Sequence, residues 1–206
     1  MRNVITTLDL PASGDFKVPR GSIVTPSARD LATARGVRIV EVADDQLPAA
    51  PPDKTIALGS DHGGYRLKET LKPILQSMGI EVRDVGVHDE RPSDYPDIAL
   101  EVAELVASGA VSRGIVIDGA GIGSSIVANK VPGVRAALCY DKASARNSRE
   151  HNDSNVLTLG ARLLTGSQAE EVLRTWMGTP FAGGRHQARV DKILAIEQRF
   201  LKKASS

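Results

Sequence analysis

The chain has 206 residues, of which 41% are hydrophobic and 25% are charged, and its 26 basic side chains nearly balance its 25 acidic ones. This composition predicts one globular domain, or one domain plus an appendage, with no electrostatic preference for nucleic acid. The single cysteine excludes an intramolecular disulfide framework, and no apolar run reaches the ~18 residues of a membrane span. No signal peptide opens the chain, so we expect a cytoplasmic protein without nucleic-acid or membrane partners.

Proline distinguishes the first 53 residues, which hold six of the 11 prolines and form an N-terminal extension. Residues 48–52 are typical of a stiff, extended linker. Residues 21–42 predict a strand, a helix and a second strand, with Thr25 as the helix N-cap and Pro26 at the first helical position. We expect this unit to pack on another surface, because so small a unit buries little by itself.

Strands and helices alternate over residues 54–206. Short apolar strands are predicted at residues 55–58, 81–85, 114–117, 134–139 and 155–159. Helices with apolar side chains at helical spacing are predicted around residues 67–78, 98–106, 124–130, 142–150, 167–177 and 185–203. This alternation predicts an α/β fold with a parallel sheet flanked by helices on both faces, in which ligands bind beyond the carboxyl ends of the strands.

A glycine-rich turn at residues 119–123 follows the third of these strands, with Asp118 between them. Such a turn at the start of a helix presents backbone N–H groups to an anion, either a phosphate or an oxyanion that develops during a reaction. The alternative is a tight turn that needs a positive φ. Dinucleotide binding is a weaker alternative, because the third glycine comes one residue early for that motif.

Two carboxylates, Asp61 and Asp118, follow strands that we expect to be near one another. Two carboxylates that flank a polar ligand suit general acid–base catalysis. The alternative for Asp118 is that it caps the turn or the short helix after it. His62 lies either in the same site or at the surface.

His151 and Asn152 end the helix before the last strand, and we expect them among these strand-tip residues. His151 there either moves protons near neutral pH or interacts with the dipole of its helix. Basic side chains match phosphate oxygens, with a solvated basic face as the alternative. The candidates for anion binding are Arg162, Arg185, His186 and Arg189.

Five motifs stand in chain order at residues 61–68, 93–96, 119–130, 149–152 and 184–189. Together they resemble the type B ribose-5-phosphate isomerase family, which also includes the galactose-6-phosphate isomerase subunits. The resemblance implies a Rossmann-like fold and a homodimer or tetramer with active sites at the subunit interface. It also implies interconversion of ribose 5-phosphate and ribulose 5-phosphate through an enediolate, without metal or cofactor. A hexose phosphate is the alternative substrate.

The resemblance further implies residue roles. Asp61 would hold a sugar hydroxyl, His62 and Tyr95 would line the sugar site, and His151 would assist ring opening with Asn152 beside it. The turn would supply N–H groups to the enediolate oxygen from Gly119, Gly121, Gly123 and Ser124. The phosphate would be bound by Arg162, Arg185 and Arg189, some of them from the partner subunit.

The chain departs from the family pattern at the expected base. Many members carry a cysteine where this chain has Asp118, and others carry a hydroxyl at the Ala120 position or a glutamate at the Ser124 position. Because proton abstraction beside a carbonyl needs a base, we expect Asp118 to be that base, with an altered or relaxed substrate preference. The alternative is a non-catalytic sugar-phosphate binding or assembly protein that kept the pocket.

Residues 23–32 resemble a short element of some enzymes associated with bacterial microcompartments. The resemblance implies encapsulation or partner docking through residues 1–53. The expected location is therefore the cytoplasm, with the inside of a microcompartment as the finer alternative.

Overall fold

The computed structural model describes residues 4–5, 10–11, 13–43 and 55–204. The chain divides into two compact units, Met1–Pro52 and Asp53–Ser206. The linker predicted at residues 48–52 lies outside the described residues. Within those residues no helix combines the length and the apolar character that crossing a membrane requires.

The described residues of the first unit form two short pairs of parallel strands and one helix. Strand β1 (Val4–Ile5) pairs with β3 (Ile23–Val24), and β2 (Gly14–Pro19) pairs with β4 (Val37–Val42). Helix α1 (Pro26–Arg35) lies between β3 and β4 in the chain. Five buried residues form a small core: Leu10, Ala28, Leu31, Ala32 and Val37.

The helix predicted in this unit is confirmed, together with its predicted N-terminal end. The side chain of Thr25 accepts a hydrogen bond from the backbone N–H of Ala28 at 3.3 Å, and Pro26 is the first helical residue. Gly36 ends the helix with a φ of 65°. Strand β2 was not predicted, because its charged residues interrupt the apolar pattern from which strands are recognised.

The second unit is a five-stranded parallel sheet with the strand order β6-β5-β7-β9-β8. The strands are β5 (Thr55–Ser60), β6 (Glu81–Asp84), β7 (Arg113–Asp118), β8 (Ala136–Leu138) and β9 (Val156–Gly160). The helices are α2 (Tyr65–Ser77), α3 (Tyr95–Ala107), α4 (Ile122–Ala128), α5 (Lys142–Asn152), α6 (Gly166–Gly178) and α7 (Gln187–Ala204), with a 3-10 turn at Gly184–His186.

Both faces of this sheet are covered, which confirms the predicted Rossmann-like fold. Ile115 and Ile117 of β7 pack in one apolar cluster, which includes Leu71 and Trp176 from helices, and Val116 packs in a second cluster on the opposite face. Successive side chains of a strand point to opposite faces, so a strand covered on both sides is apolar throughout. Helix α2 continues through Pro73.

The edge strand β8 is protected by a side chain. The amide of Asn129 accepts from the backbone N–H of Ala136 and donates to its carbonyl, at 2.9 Å in each case. An edge strand leaves backbone groups open to pairing with another chain, and Asn129 satisfies two of them.

Candidate active site

Asp118 lies at the carboxyl end of β7 and is bonded to the glycine-rich turn that follows it. One oxygen, Oδ1, accepts from the backbone N–H groups of Ala120, at 2.7 Å, and of Gly121. The other oxygen accepts from the backbone N–H of Ser124, at 3.1 Å, and from the Ser124 hydroxyl. A carboxylate has about four lone-pair positions, so these four bonds use all of them. Asp118 thus has the contacts that the capping alternative predicts.

These bonds change what the turn itself can offer a ligand. The N–H groups of Ala120, Gly121 and Ser124 donate to Asp118, so two of the four groups predicted to bind an enediolate oxygen, those of Gly121 and Ser124, already have an acceptor in this conformation. In the described part of the chain, no acceptor is found for the N–H groups of Ile122 and Gly123. They remain the donors that face outward from the turn.

The turn also requires glycine for steric reasons. Gly121 has a φ of +75°, and a Cβ there would lie 2.5 Å from the side chain of Leu138. A side chain at this position would therefore be strained and would collide with β8. A Cβ at Gly123 would lie 2.5 Å from the ring of Tyr95, so that ring rests directly on the turn. The structure thus brings Tyr95, a residue we expected in the sugar site, to the glycine-rich turn.

Asp61 is held beside the same turn by the loop after β5. Its backbone N–H donates to the carbonyl of Ile117 at 3.2 Å, and its carboxylate accepts from the backbone N–H of Gly64 at 2.9 Å. Gly64 permits this close approach, because a Cβ there would lie 2.1 Å from the Ile117 carbonyl oxygen. Asp61 is only 7% exposed. The expectation that the two carboxylates lie at neighbouring strand ends is correct.

His62 is oriented by Ser93, which precedes helix α3. The Ser93 hydroxyl accepts from the backbone N–H of His62 at 3.0 Å. Nδ1 of the imidazole lies 3.2 Å from both the N–H and the carbonyl oxygen of Ser93, so it can accept from one or donate to the other. This backbone contact leaves Nε2 of His62 for a ligand. No sequence pattern pointed to Ser93 as its partner, because 31 residues separate the two.

Arg162 joins these residues from the loop after β9. Its backbone N–H donates to the carbonyl of Gly119 at 3.0 Å, and a Cβ at Gly119 would lie 3.5 Å from Nε of Arg162. The exposed guanidinium therefore lies over the start of the turn. We call the group at this edge of the sheet the carboxyl-edge cluster: Asp61, His62, Tyr95, Asp118 and Arg162.

His151 and Asn152 lie at the opposite ends of the strands, where the parallel strands begin, and we call this side of the sheet the amino edge. This corrects the expectation that they lie near the carboxyl ends of the strands. Helix α5 runs back from the end of β8 to the start of β9, so its last residues lie where the parallel strands begin. Arg135, directly before β8, donates to the carbonyl of Asn152 at 3.2 Å. Strand β7 has six residues, and at about 3.3 Å per residue it separates the two edges by roughly 20 Å.

Two histidines stack at this amino edge. The rings of His151 and His186 are nearly parallel, with centroids 4.0 Å apart and 7° between the planes. His186 belongs to the 3-10 turn before α7, and Arg185 and Arg189 flank it on exposed positions. We call this group the amino-edge cluster: His151, Asn152, Arg185, His186 and Arg189. Arg185 and Arg189 are thus brought together with His151, and Arg162 is not.

The pKa of His186 lies below its usual value of 6.5. Burial is the main cause, and His151, Arg185 and Arg189 add to it, while Glu150 opposes it. Burial and nearby positive charge both disfavour an imidazolium. His186 is therefore a neutral ring at neutral pH.

A partly buried ionic network supports the end of α5. Arg149 donates to the Asp153 carboxylate at 2.8 Å, and Arg135 donates to the other oxygen of Asp153 at 3.0 Å. Asp153 has a φ of 46°, a left-handed conformation that is uncommon outside glycine. The guanidinium of Arg149 also lies 5.7 Å from the centroid of the Trp176 ring. This network fixes the backbone directly after His151 and Asn152.

Comparison with known proteins identifies the family of this chain. The family described as Ribose/Galactose Isomerase matches residues 56–193. The chain belongs to this family. Ribose-5-phosphate isomerase B of Escherichia coli is 47% identical over 146 residues, which are 71% of this chain and 98% of that protein. D-erythrulose-4-phosphate isomerase of Pectobacterium atrosepticum is 40% identical over 141 residues, which are 68% of this chain and 92% of that protein.

The structure of this chain is similar to that of Clostridium thermocellum ribose-5-phosphate isomerase B, with a TM-score of 0.70 and 51% sequence identity. The match covers 71% of this chain and 99% of the Clostridium thermocellum chain. The predicted resemblance is therefore confirmed, and the chain is an isomerase of the ribose/galactose isomerase family. The family match begins at Ile56 and leaves the N-terminal extension outside it.

The lone cysteine of this isomerase lies outside both clusters. Cys139 directly follows β8 and is fully buried. Burial raises the pKa of its thiol, against the opposing effect of the Ser148 and Ser144 hydroxyls. A buried thiol in its protonated form is a poor base and a poor nucleophile. Cys139 is therefore not a candidate for the base of the reaction.

Proposed function

We propose that the chain interconverts ribose 5-phosphate and ribulose 5-phosphate through an enediolate, without metal or cofactor. Membership of the family supports an aldose–ketose isomerase of sugar phosphates. The observation that carries the proposal is the pair of complementary clusters. One cluster holds carboxylates at the ends of β5 and β7, and the other holds a histidine pair between two arginines.

The carboxyl-edge cluster is assigned the proton transfer between C1 and C2 of the sugar. Asp118 is the proposed base, and Asp61 holds a sugar hydroxyl beside it. All four lone-pair positions of Asp118 accept hydrogen bonds in this conformation. Asp118 can therefore take a proton from the sugar only after one of these hydrogen bonds breaks. The Ser124 hydroxyl is the donor that can leave most easily, since it turns about a single bond while the backbone N–H groups are fixed.

The amino-edge cluster is assigned ring opening and phosphate binding. His151 donates a hydrogen bond to the ring oxygen of the cyclic sugar, and Asn152 lies beside it. Arg185 and Arg189 bind the phosphate, whose oxygens match the guanidinium fork. Arg162 is assigned to the same phosphate from the carboxyl edge.

The two clusters require two copies of the chain to form one site. A ribose phosphate is shorter than the roughly 20 Å between the edges of a six-residue strand, so one ligand does not reach both clusters of one copy. We propose a homodimer in which the amino-edge cluster of one protomer faces the carboxyl-edge cluster of its partner. Such dimers can pair further into tetramers.

An apolar groove on the C-terminal helix supports this pairing. The groove has a volume of about 770 Å³ and lies between α7 and the region of β8. Ile196 and Phe200 line it and are 58% and 59% exposed. Exposed apolar patches of this kind mark protein interfaces, and Asn152 of the amino-edge cluster lines the same groove. A second copy of the chain is the proposed occupant.

The substrate preference is proposed to extend beyond ribose 5-phosphate. One relative is named for a four-carbon substrate, D-erythrulose 4-phosphate, and Asp118 changes the chemistry of the base position. A tetrose 4-phosphate has no free hydroxyl with which to close a five-membered ring. Its isomerisation therefore needs the proton transfer that is assigned to the carboxyl-edge cluster, but not the ring opening that is assigned to the amino-edge cluster.

Residues 1–53 are proposed to form a separate extension that docks this enzyme, residues 54–206, to a partner or inside a bacterial microcompartment. Deleting residues 1–53 should leave kcat unchanged and abolish co-purification with shell proteins. A change in oligomer size alone would make the segment an assembly arm instead.

Purified protein and a panel of aldose phosphates test the main proposal. We expect turnover of ribose 5-phosphate in the presence of a chelator, with solvent deuterium incorporated at C1 of ribulose 5-phosphate, the carbon that receives the proton. Turnover of another aldose phosphate alone would change the substrate. Binding without deuterium incorporation on every substrate would instead support the non-catalytic binding protein.

A further inference from the structure

The ring of His151 is held from two sides by residues of its own chain. Asn147 lies one turn earlier on α5, and its amide nitrogen is 2.8 Å from Nδ1 of His151. The ring of His186 covers one face of His151 at a centroid distance of 4.0 Å. With Nδ1 bonded and one face covered, Nε2 is the nitrogen left for a ligand.

The contact with Asn147 determines where a neutral His151 carries its proton. An amide nitrogen only donates, so Nδ1 of His151 accepts this hydrogen bond. The proton of the neutral ring then lies on Nε2, because a neutral imidazole has one donor nitrogen and one acceptor nitrogen. His151 therefore presents an N–H group on its open side.

The opposite face of His186 is closed off by the protein. His186 is only 7% exposed, and Nε of Arg185 lies 3.4 Å from its Nε2, which accepts from the guanidinium. Two imidazolium rings stacked face to face would repel one another, whereas a neutral ring stacks on His151 in either of its protonation states. Glu150 of α5 and the two arginines, Arg185 and Arg189, are the other charged groups that act on His186.

We propose that Asn147 and His186 are positioning residues for His151: Asn147 keeps the proton of the neutral ring on Nε2, and His186 fixes the plane of the ring by stacking. The inference rests on the proposed role of His151 in ring opening. A proton donor must point at the ring oxygen of the sugar, and a misplacement of about 1 Å can cost about a hundredfold in rate.

Nitrogen NMR of the imidazoles tests the role of Asn147 without any turnover. We expect the neutral His151 of the native protein to be protonated at Nε2. In Asn147→Asp the proton should move to Nδ1, because the carboxylate accepts from it, and in Asn147→Leu a mixture of both forms should appear. Exposed His88 provides an unaffected reference signal in each variant. A native proton on Nδ1, or no change in Asn147→Asp, would overturn the role of Asn147.

Two substitutions of His186 test the stacking. His186→Ala should lower kcat for ribose 5-phosphate about tenfold or more and leave KM nearly unchanged, because the ring of His151 loses its support. His186→Phe restores a flat ring and should recover most of that loss. His88→Ala is the matched control.

Equal losses of kcat in both His186 variants, with an unchanged titration of His151, would show that His186 acts through its nitrogens and would overturn the stacking role. If the native protein has no isomerase activity, the proposed function fails. The NMR result still decides the contact between Asn147 and His151, so the two failures are distinguishable.

Discussion

The two edges of the sheet hold their functional residues in different ways. At the carboxyl edge, Asp61 and Asp118 are fixed by backbone N–H groups of the loops that follow their own strands. At the amino edge, His151 is fixed by side chains from α5 and from the turn before α7. The two carboxylates are therefore positioned by local chain geometry, whereas the stacking of His151 on His186 depends on two distant parts of the chain meeting.

The largest effect is expected from Asp118→Asn at the carboxyl edge. Isomerisation of ribose 5-phosphate should fall about a hundredfold or more, because general base catalysis contributes about 10²–10⁴ in rate. Binding of the sugar phosphate, measured by calorimetry, should persist. Exposed Asp97 provides the control Asp97→Asn. Turnover retained in Asp118→Asn would place the base elsewhere.

At the amino edge, Arg149→Met should act through stability. It leaves the left-handed Asp153 with one arginine partner and removes a donor from the carbonyl of Ser154. Because the Asp153 side chain is 34% exposed, the loss should fall between the values for surface and fully buried pairs, at about 2 kcal/mol, which urea unfolding would measure. The exposed pair of Arg174 and Glu170 supplies the control, because Arg174→Met should cost less than about 1 kcal/mol. Equal losses of stability would mean that the network does not support this edge.

Ser124→Ala makes a smaller change at the carboxyl edge. It removes one of the four donors to Asp118 and leaves the three backbone N–H groups in place. If Asp118 is the base, kcat should stay within about threefold of the native value or rise, because a lone pair becomes free. Loss of turnover comparable to Asp118→Asn would show that the Ser124 hydroxyl itself takes part in the proton transfer.

The smallest effect concerns pH and the buried His186. Its folded pKa lies below the unfolded value of about 6.5, so below that pH the unfolded chain binds more protons than the folded one. The contribution of this group to stability is therefore present above pH 6.5 and is lost as the pH falls below it. Urea unfolding at pH 7.5 and 5.5 should show a smaller decrease for His186→Phe than for the native protein. An equal decrease would contradict the neutral, buried ring.

The sequence predicted the carboxyl edge better than the amino edge, for a physical reason. Strand ends of a parallel sheet share an edge, so Asp61 and Asp118 were correctly placed together from the alternation of strands and helices alone. His151 was misplaced, because the end of a connecting helix lies at the opposite edge from the end of a strand. The direction of the chain predicts this, because a helix that connects two parallel strands must end where the next strand begins. The rule that ligands bind beyond the carboxyl ends of strands does not consider where the connecting helices end.

Side-chain partners were the part that sequence patterns did not provide. The bonds from the turn to Asp118 depend on exact backbone directions, and the stacking of His186 on His151 joins residues 35 positions apart. Asn147 had a detectable signal, since residues four apart on a helix lie on the same face. Helix α1 shows the opposite case, because its caps, Thr25 and Gly36, lie in the local sequence.

Mixing two inactive variants tests most directly whether one active site needs both edges from different copies. Asp118→Asn disables the carboxyl edge and His151→Ala disables the amino edge. After the two proteins are unfolded together and refolded as a mixture, random pairing makes half of the dimers mixed, and each mixed dimer has one intact site of two. The account predicts recovery of about a quarter of native activity. No recovery, with mixed dimers present, would contradict a site shared between two copies.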